Sequence, residues 1–168
     1  MSISMYEASV PSFVKALHNL SNILAKSQAY AGAKKIDPAV LLSARLFPDM
    51  FPLVKQVQIS TDHAKGAVAR LAGVEIPKYE DTEHSFEQIH LRLTKTIAFV
   101  ESFSAEQING SEGREIALKV GGHELSFKGM PYLLGYALPN FYFHLVTAYN
   151  IVRHNGVEIG KRDYIGNL

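Results

Sequence analysis

Apolar residues recur at alternating spacings of three and four along most of this chain, and that rhythm restricts the fold more than any other feature. Ile3, Tyr6, Val10, Phe13, Leu17, Leu20 and Leu24 form one series, and Phe86, Ile89, Leu93, Thr96, Val100 and Phe103 form another. Met50, Leu53, Val54, Val57, Thr61, Ala64, Val68 and Leu71 mark a third stripe. The longest run, 130–155, puts Phe141, Leu145, Ala148 and Val152 on one line, with His144 and Ile151 at one edge and Tyr149 at the other. A one-sided stripe at this period is a helix docked on a core, and four of them predict an antiparallel bundle.

The punctuation agrees. Ser4 followed by Glu7 is a capping-box pattern at the head of the first helix, and Pro11 inside it predicts a kink or a restart. Residues 28–48 read as a connection. Within it Asp37 and Pro38 are an N-cap and a first-turn proline for a short helix over 39–46. The second long helix covers 49–72 and stops at Gly73; the third covers 82–103. After a polar connector at 104–113 the period changes to two. Ile116, Leu118 and Val120 alternate with polar residues, Gly121 and Gly122 follow, and Leu125 and Phe127 alternate again, which predicts a β-hairpin. In the last helix Pro139 predicts a kink, with Gly135 one turn earlier leaving room for it. The fold class expected is therefore all-α, mainly: a four-helix bundle with a short β-hairpin between its third and fourth helices, in one domain over 1–168.

Composition removes several functions. The net charge is +1, and the only basic pairs are Lys34 with Lys35 and Lys161 with Arg162, so a nucleic-acid surface is not expected. The chain has no cysteine, which excludes disulfides, a thiolate nucleophile and a zinc–thiolate site. No apolar run approaches the ~20 residues that span a bilayer. The first residues have neither a basic start nor a long apolar stretch, so a cytoplasmic protein is expected. Phosphate-loop, Gly-x-Ser-x-Gly and HExxH motifs are absent.

The chemistry-bearing residues are few. His144 sits at the edge of the last core stripe. It is either a core-edge histidine bonded to a neighbouring helix or a metal ligand or general base. His63 shares a face of the second helix with Gln56, Ile59, Gly66 and Arg70, away from the core stripe; it is a surface residue unless that face lines a cleft. Phe143, Tyr142 and Val146 point outward, covered either by the hairpin or tail or by a second subunit.

The order of elements, with the stretches PDMFPLVKQVQISTDHAKGAVARLAG, LPNFYFH and VRHNGVEIGKRDYIG, resembles the DinB-like (YfiT-like) metalloenzyme bundles, and most closely an uncharacterised bacterial branch of them. The resemblance covers essentially the whole chain. It implies a divalent metal, zinc or nickel, held by one histidine from the second helix and two from the fourth, four residues apart. His63 would match the first and His144 the second. Ala148 stands where the third is expected, and Asn140 lies four residues before His144. Asp62, Glu87 or His90 would have to supply the missing ligand, and Asp62, Asn140, Tyr149 and His90 are the candidate pocket residues. Two functions follow. One is a metal-dependent, or formerly metal-dependent, small-molecule enzyme, by analogy a thiol transferase. The other is a non-catalytic homodimeric bundle that binds a small apolar ligand.

Overall fold

Four long helices enclose one core in the computed structural model, which describes residues 3–166. Helix α1 spans Met5–Lys34. Its capping box forms as predicted: the Glu7 N–H donates to Ser4 Oγ at 3.2 Å, and the Ser4 N–H donates to the Glu7 carboxylate at 3.1 Å. The helix passes through Pro11 without restarting, because Val10 and Phe13 on either side are buried and hold it in place. It also continues through 28–34, which the sequence assigns to a connection. Ala29, Ala31 and Ala33 are strong helix formers there, and Ala31 is fully buried. Lys35 ends the helix at φ 55°.

The short helix α2 is Pro38–Ser43, with Asp37 Oδ1 accepting from the Ala39 N–H at 2.9 Å. Helix α3 is Leu53–Ala72 and starts later than residue 49. Pro52 pushes Phe51 out of helical geometry, so the helix begins only after it. Helix α4 is Phe86–Glu101, capped by Ser85 Oγ. The polar connector that follows holds a single turn, α5, Ala105–Ile108.

Strands β1, Glu115–Val120, and β2, His123–Lys128, pair antiparallel with Ile116 opposite Phe127 and Leu118 opposite Leu125. Gly121 and Gly122 both have positive φ, 57° and 86°, as the tight hairpin turn requires. The base of the hairpin closes against itself: a Cβ at Gly129 would lie 1.9 Å from the Ser111 carbonyl oxygen.

The last helix comes in three parts. Helix α6 is Gly129–Tyr132, a single π-helical turn covers Leu133–Ala137, and α7 is Leu138–His154. The expected kink is thus a widened turn. Pro139 has no N–H for the Gly135 carbonyl, and the Leu138 N–H reaches five residues back to Leu133. A short helix α8, Lys161–Ile165, folds the tail onto α1.

Around the bundle the helices follow the order α1, α4, α3, α7, each packed on the next and α7 closing on α1. Phe13 meets Phe141 edge-to-face, with centroids 4.9 Å apart, across the α1–α7 seam. Leu17, Leu20, Leu53, Leu71, Ile89 and Leu93 fill the centre. Fully burying a side chain of this size contributes about 1.5–3 kcal/mol. The hairpin lies over the end of α3 and the π turn, with Ile116 buried and Leu118 and Phe127 packed on the core.

Candidate functional site

The α3–α7 seam is where chemistry-bearing side chains collect. Gln56 and His63 are seven residues apart on α3, so they face the same way two turns apart. His144 on α7 reaches across to both. Its Nδ1 lies 2.7 Å from Gln56 Oε1, and its ring lies 5.9 Å from that of His63, with the planes 14° from parallel.

Gln56 settles the state of His144. The Gln56 amide nitrogen donates to the Phe51 carbonyl at 3.0 Å, which leaves its oxygen facing the imidazole. That oxygen can only accept, so Nδ1 of His144 carries the proton and Nε2 keeps its lone pair. Burial holds His144 below its ordinary pKa. His63 is lowered further, to about 4: burial is the largest cause, then the neighbouring His144, then Arg70, with Asp62 opposing them. Both imidazoles are neutral at pH 7.

His63 opens onto a groove of about 170 Å³ between α3 and the hairpin, lined also by Asp62, Arg70, Leu118, Lys119, Val120 and Tyr136. His144 backs His63 from the seam and does not line the groove itself. Tyr136, from the π turn, contacts the His63 ring with centroids 6.0 Å apart. The π turn and the hairpin therefore build the groove wall that the α3 face needed to become a cleft.

Asp62 lines the groove as well, and its carboxylate is also bonded on the α4 side. Its Oδ1 accepts from Arg92 Nη2 at 2.9 Å and from Lys65 Nζ at 2.7 Å. Arg92 is 4% exposed. Its Nε donates to Thr61 Oγ1 at 2.7 Å and its Nη1 to the Glu80 carbonyl and to Glu83, both at 3.1 Å. This guanidinium ties α4 to α3 and to the segment 79–83. Lys65, also buried, lies 3.9 Å from the ring centroid of Tyr79. Arg92 stands one turn after Ile89 in the core stripe of its helix. A charged residue in that position was the signal in the sequence for a buried ion cluster.

The other candidates lie elsewhere. His90 is at the opposite seam, α1–α4, within 3.2 Å of Ser21 Oγ. Asn140 donates its amide to the Tyr136 carbonyl of its own helix at 2.8 Å. Tyr149 packs on Tyr164 of α8, with centroids 5.8 Å apart. Glu87 accepts from the Gln28 amide. Ala148 is fully buried in the core. The structure thus brings together His63, His144 and Asp62 of the candidates read from sequence. It adds Gln56, Arg70, Lys119 and Tyr136; Gln56 and Arg70 were visible as neighbours of His63 on one helical face.

A family described as Domain of unknown function (DUF1993) matches residues 5–165. The chain belongs to the DUF1993 family. A crystal structure of a DinB family member protein from Shewanella denitrificans is similar over 97% of this chain and 92% of its own, with 40% sequence identity and a TM-score of 0.87. This DUF1993 chain is accordingly a DinB-like bundle. No curated protein matches it.

The donors at the DUF1993 seam can be weighed against the zinc or nickel that the resemblance implies. Two imidazoles face each other, and the His144 tautomer is held by Gln56 as metal-bound histidines are held by outer partners. Among the described residues no third donor joins them: the methyl of Ala148 cannot ligate, the Asn140 amide is spent on Tyr136, and Asp62 Oδ1 is turned to Arg92 and Lys65. Among the described residues no group of three His, Asp or Glu converges. The residues present do not fit a three-histidine centre. No helix among the described residues is long and apolar enough to cross a membrane.

Proposed function

We propose that this DUF1993 bundle handles a small molecule carrying an exchangeable proton, as a formerly metal-dependent member of the DinB-like class. The carrying observation is a pair of neutral imidazoles, 5.9 Å apart, at the end of a groove walled by the hairpin. His63 is the imidazole a ligand touches. His144, with its proton fixed on Nδ1, stands behind it. A thiol or hydroxyl in the groove donates a hydrogen bond to the His63 lone pair. That bond orients and polarises the S–H or O–H, while the proton stays on the ligand because the imidazole titrates near 4. The nearest analogy is the handling of a low-molecular-weight thiol by DinB-like transferases, in a cytoplasmic setting.

Metal analysis of protein purified without a histidine tag tests this. Less than roughly a tenth of a metal ion per chain is expected, unchanged after zinc or nickel and dialysis. A stoichiometric metal that His63→Ala removes would overturn the metal-free reading. Titration of the protein with 2-mercaptoethanol, followed by proton NMR, tests the hydrogen bond to His63. The His63 Hε1 resonance should shift saturably at pH 7, and a resonance that does not move would overturn the contact.

A second reading has its own observation. Tyr142, Phe143 and Val146 are 36%, 60% and 36% exposed on α7, a patch suited to a homodimer or to a small apolar ligand. Light scattering of the wild type and Phe143→Asp distinguishes it: a dimer mass that falls to the monomer supports a subunit interface, and two monomer masses reject one.

A further inference from the structure

Arg70 is the charged group in the groove that the reading above leaves without a role. Its Nη1 donates to the hydroxyl of Tyr132, a side chain 1% exposed, at 3.0 Å. No carboxylate among the described residues pairs with it within salt-bridge distance. A guanidinium carries five donors, so four remain beyond the Tyr132 bond. Its position is cut into the helix. A Cβ at Gly66 would lie 2.6 Å from Arg70 Nη1, so the guanidinium occupies space that any other residue at 66 would take. A glycine inside a helix costs roughly 0.5–1 kcal/mol relative to alanine, and here the arginine fills the vacancy it leaves. Gly66 stands three residues from His63, about 4.5 Å of helical rise, and Arg70 and His63 line the same groove.

The rest of the groove favours an anion. Lys119 is the second cation on its wall, opposite Glu124 across the hairpin. Asp62 is the one carboxylate lining it, and its Oδ1 is engaged by Arg92 and Lys65. Leu118, Val120 and Tyr136 supply apolar wall. The space of about 170 Å³ admits a compound of only a few carbons.

We propose that Arg70 binds the carboxylate of a small organic acid, in the fork geometry that a guanidinium and a carboxylate share, and so places the ligand's adjoining atoms against His63. This rests on the small-molecule reading of the groove and narrows its ligand to an acid. Gly66 and the Tyr132 hydroxyl are the positioning elements, because they hold the guanidinium over the helix.

Butyrate, with uncharged butyramide of the same size as control, tests the assignment by proton NMR of the His63 Hε1 resonance. Butyrate should shift it saturably, and butyramide should not. With butyrate bound, the His63 titration should move upward, since an anion beside the imidazole favours its charged form. Arg70→Gln should weaken butyrate at least roughly tenfold, and Lys119→Gln by less than about threefold. Gly66→Ala displaces the guanidinium without removing it. It should weaken butyrate while leaving the melting temperature unchanged or higher, which separates positioning from folding. Equal binding of butyramide, an unchanged isotherm in folded Arg70→Gln, or an equal loss in Lys119→Gln would each overturn the assignment. The metal content and the 2-mercaptoethanol titration do not depend on butyrate, so failure of the acid site and failure of the imidazole-pair reading leave different signatures.

Discussion

Two side chains from opposite halves of the chain have properties here that neither has alone. His63 is a groove residue whose basicity is suppressed, first by burial and then by its partner His144. Well above pH 6.5 the imidazole is neutral in the folded and unfolded chain and contributes no pH dependence. As the pH falls toward 4, the unfolded chain binds a proton that the folded chain refuses, so stability declines across that window. His63 is partly open to solvent, and the expected loss is about 2 kcal/mol rather than the full conversion of the shift. Urea unfolding at pH 7 and pH 4.5 measures it, with His63→Gln as the variant in which the decline should shrink. Direct titration of His63 Hε1 should give a midpoint near 4 in the folded protein; a midpoint near 6.5 would remove the basis for a neutral pair. In the sequence His63 stood off its core stripe, which was correct. Its surroundings were hidden because the groove walls come from the hairpin and the π turn, more than fifty residues away in the chain.

The elements follow their sequence signals where those signals are local and miss them where they are not. The Ser4–Glu7 capping box, the Asp37 cap, the Gly73 stop and the double-glycine hairpin are read within a few residues, and all of them form. The continuation of α1 to Lys34 and the late start of α3 at Leu53 depend on small local preferences that periodicity alone does not weigh. Pro139 marks a real irregularity, but whether a proline gives a kink or a wide turn depends on what the freed carbonyls find. Here the Leu138 N–H bonds the Leu133 carbonyl, five residues back, and the Asn140 side-chain amide adds a bond to the Tyr136 carbonyl. The hairpin base makes a sharp test. Gly129 needs no unusual backbone angle, yet a Cβ there would meet the Ser111 backbone oxygen. Backbone yields far less readily than a side-chain tip. Gly129→Ala is therefore expected to cost roughly 1–3 kcal/mol through overpacking. Gly135→Ala, whose Cβ would meet nothing within 4 Å, should cost less than about 0.5 kcal/mol. Equal melting temperatures for the two variants would contradict the packing described.

At the scale of the whole molecule, one buried cation does much of the joining outside the apolar core. Arg92 links α4, α3 and the segment 79–83 through Thr61, Asp62, Glu80 and Glu83. Removing it strands several acceptors at once, and Arg92→Ala is expected to cost roughly 3–5 kcal/mol in chemical denaturation. A midpoint within error of wild type would show that the cluster is solvated and dispensable. The amino-acid sequence by itself determined the helices, the hairpin, the bundle and the DinB-like resemblance, because alternation of apolar residues and capping patterns act over one or two turns. Tertiary structure alone decided that α3 and α7 are neighbours, that His144 meets Gln56 and His63, that His90, Tyr149 and Asn140 face elsewhere, and that Arg70 lies over Gly66 beside the hairpin. Those relations depend on which helical faces turn toward each other, and periodicity fixes a face only relative to its own helix.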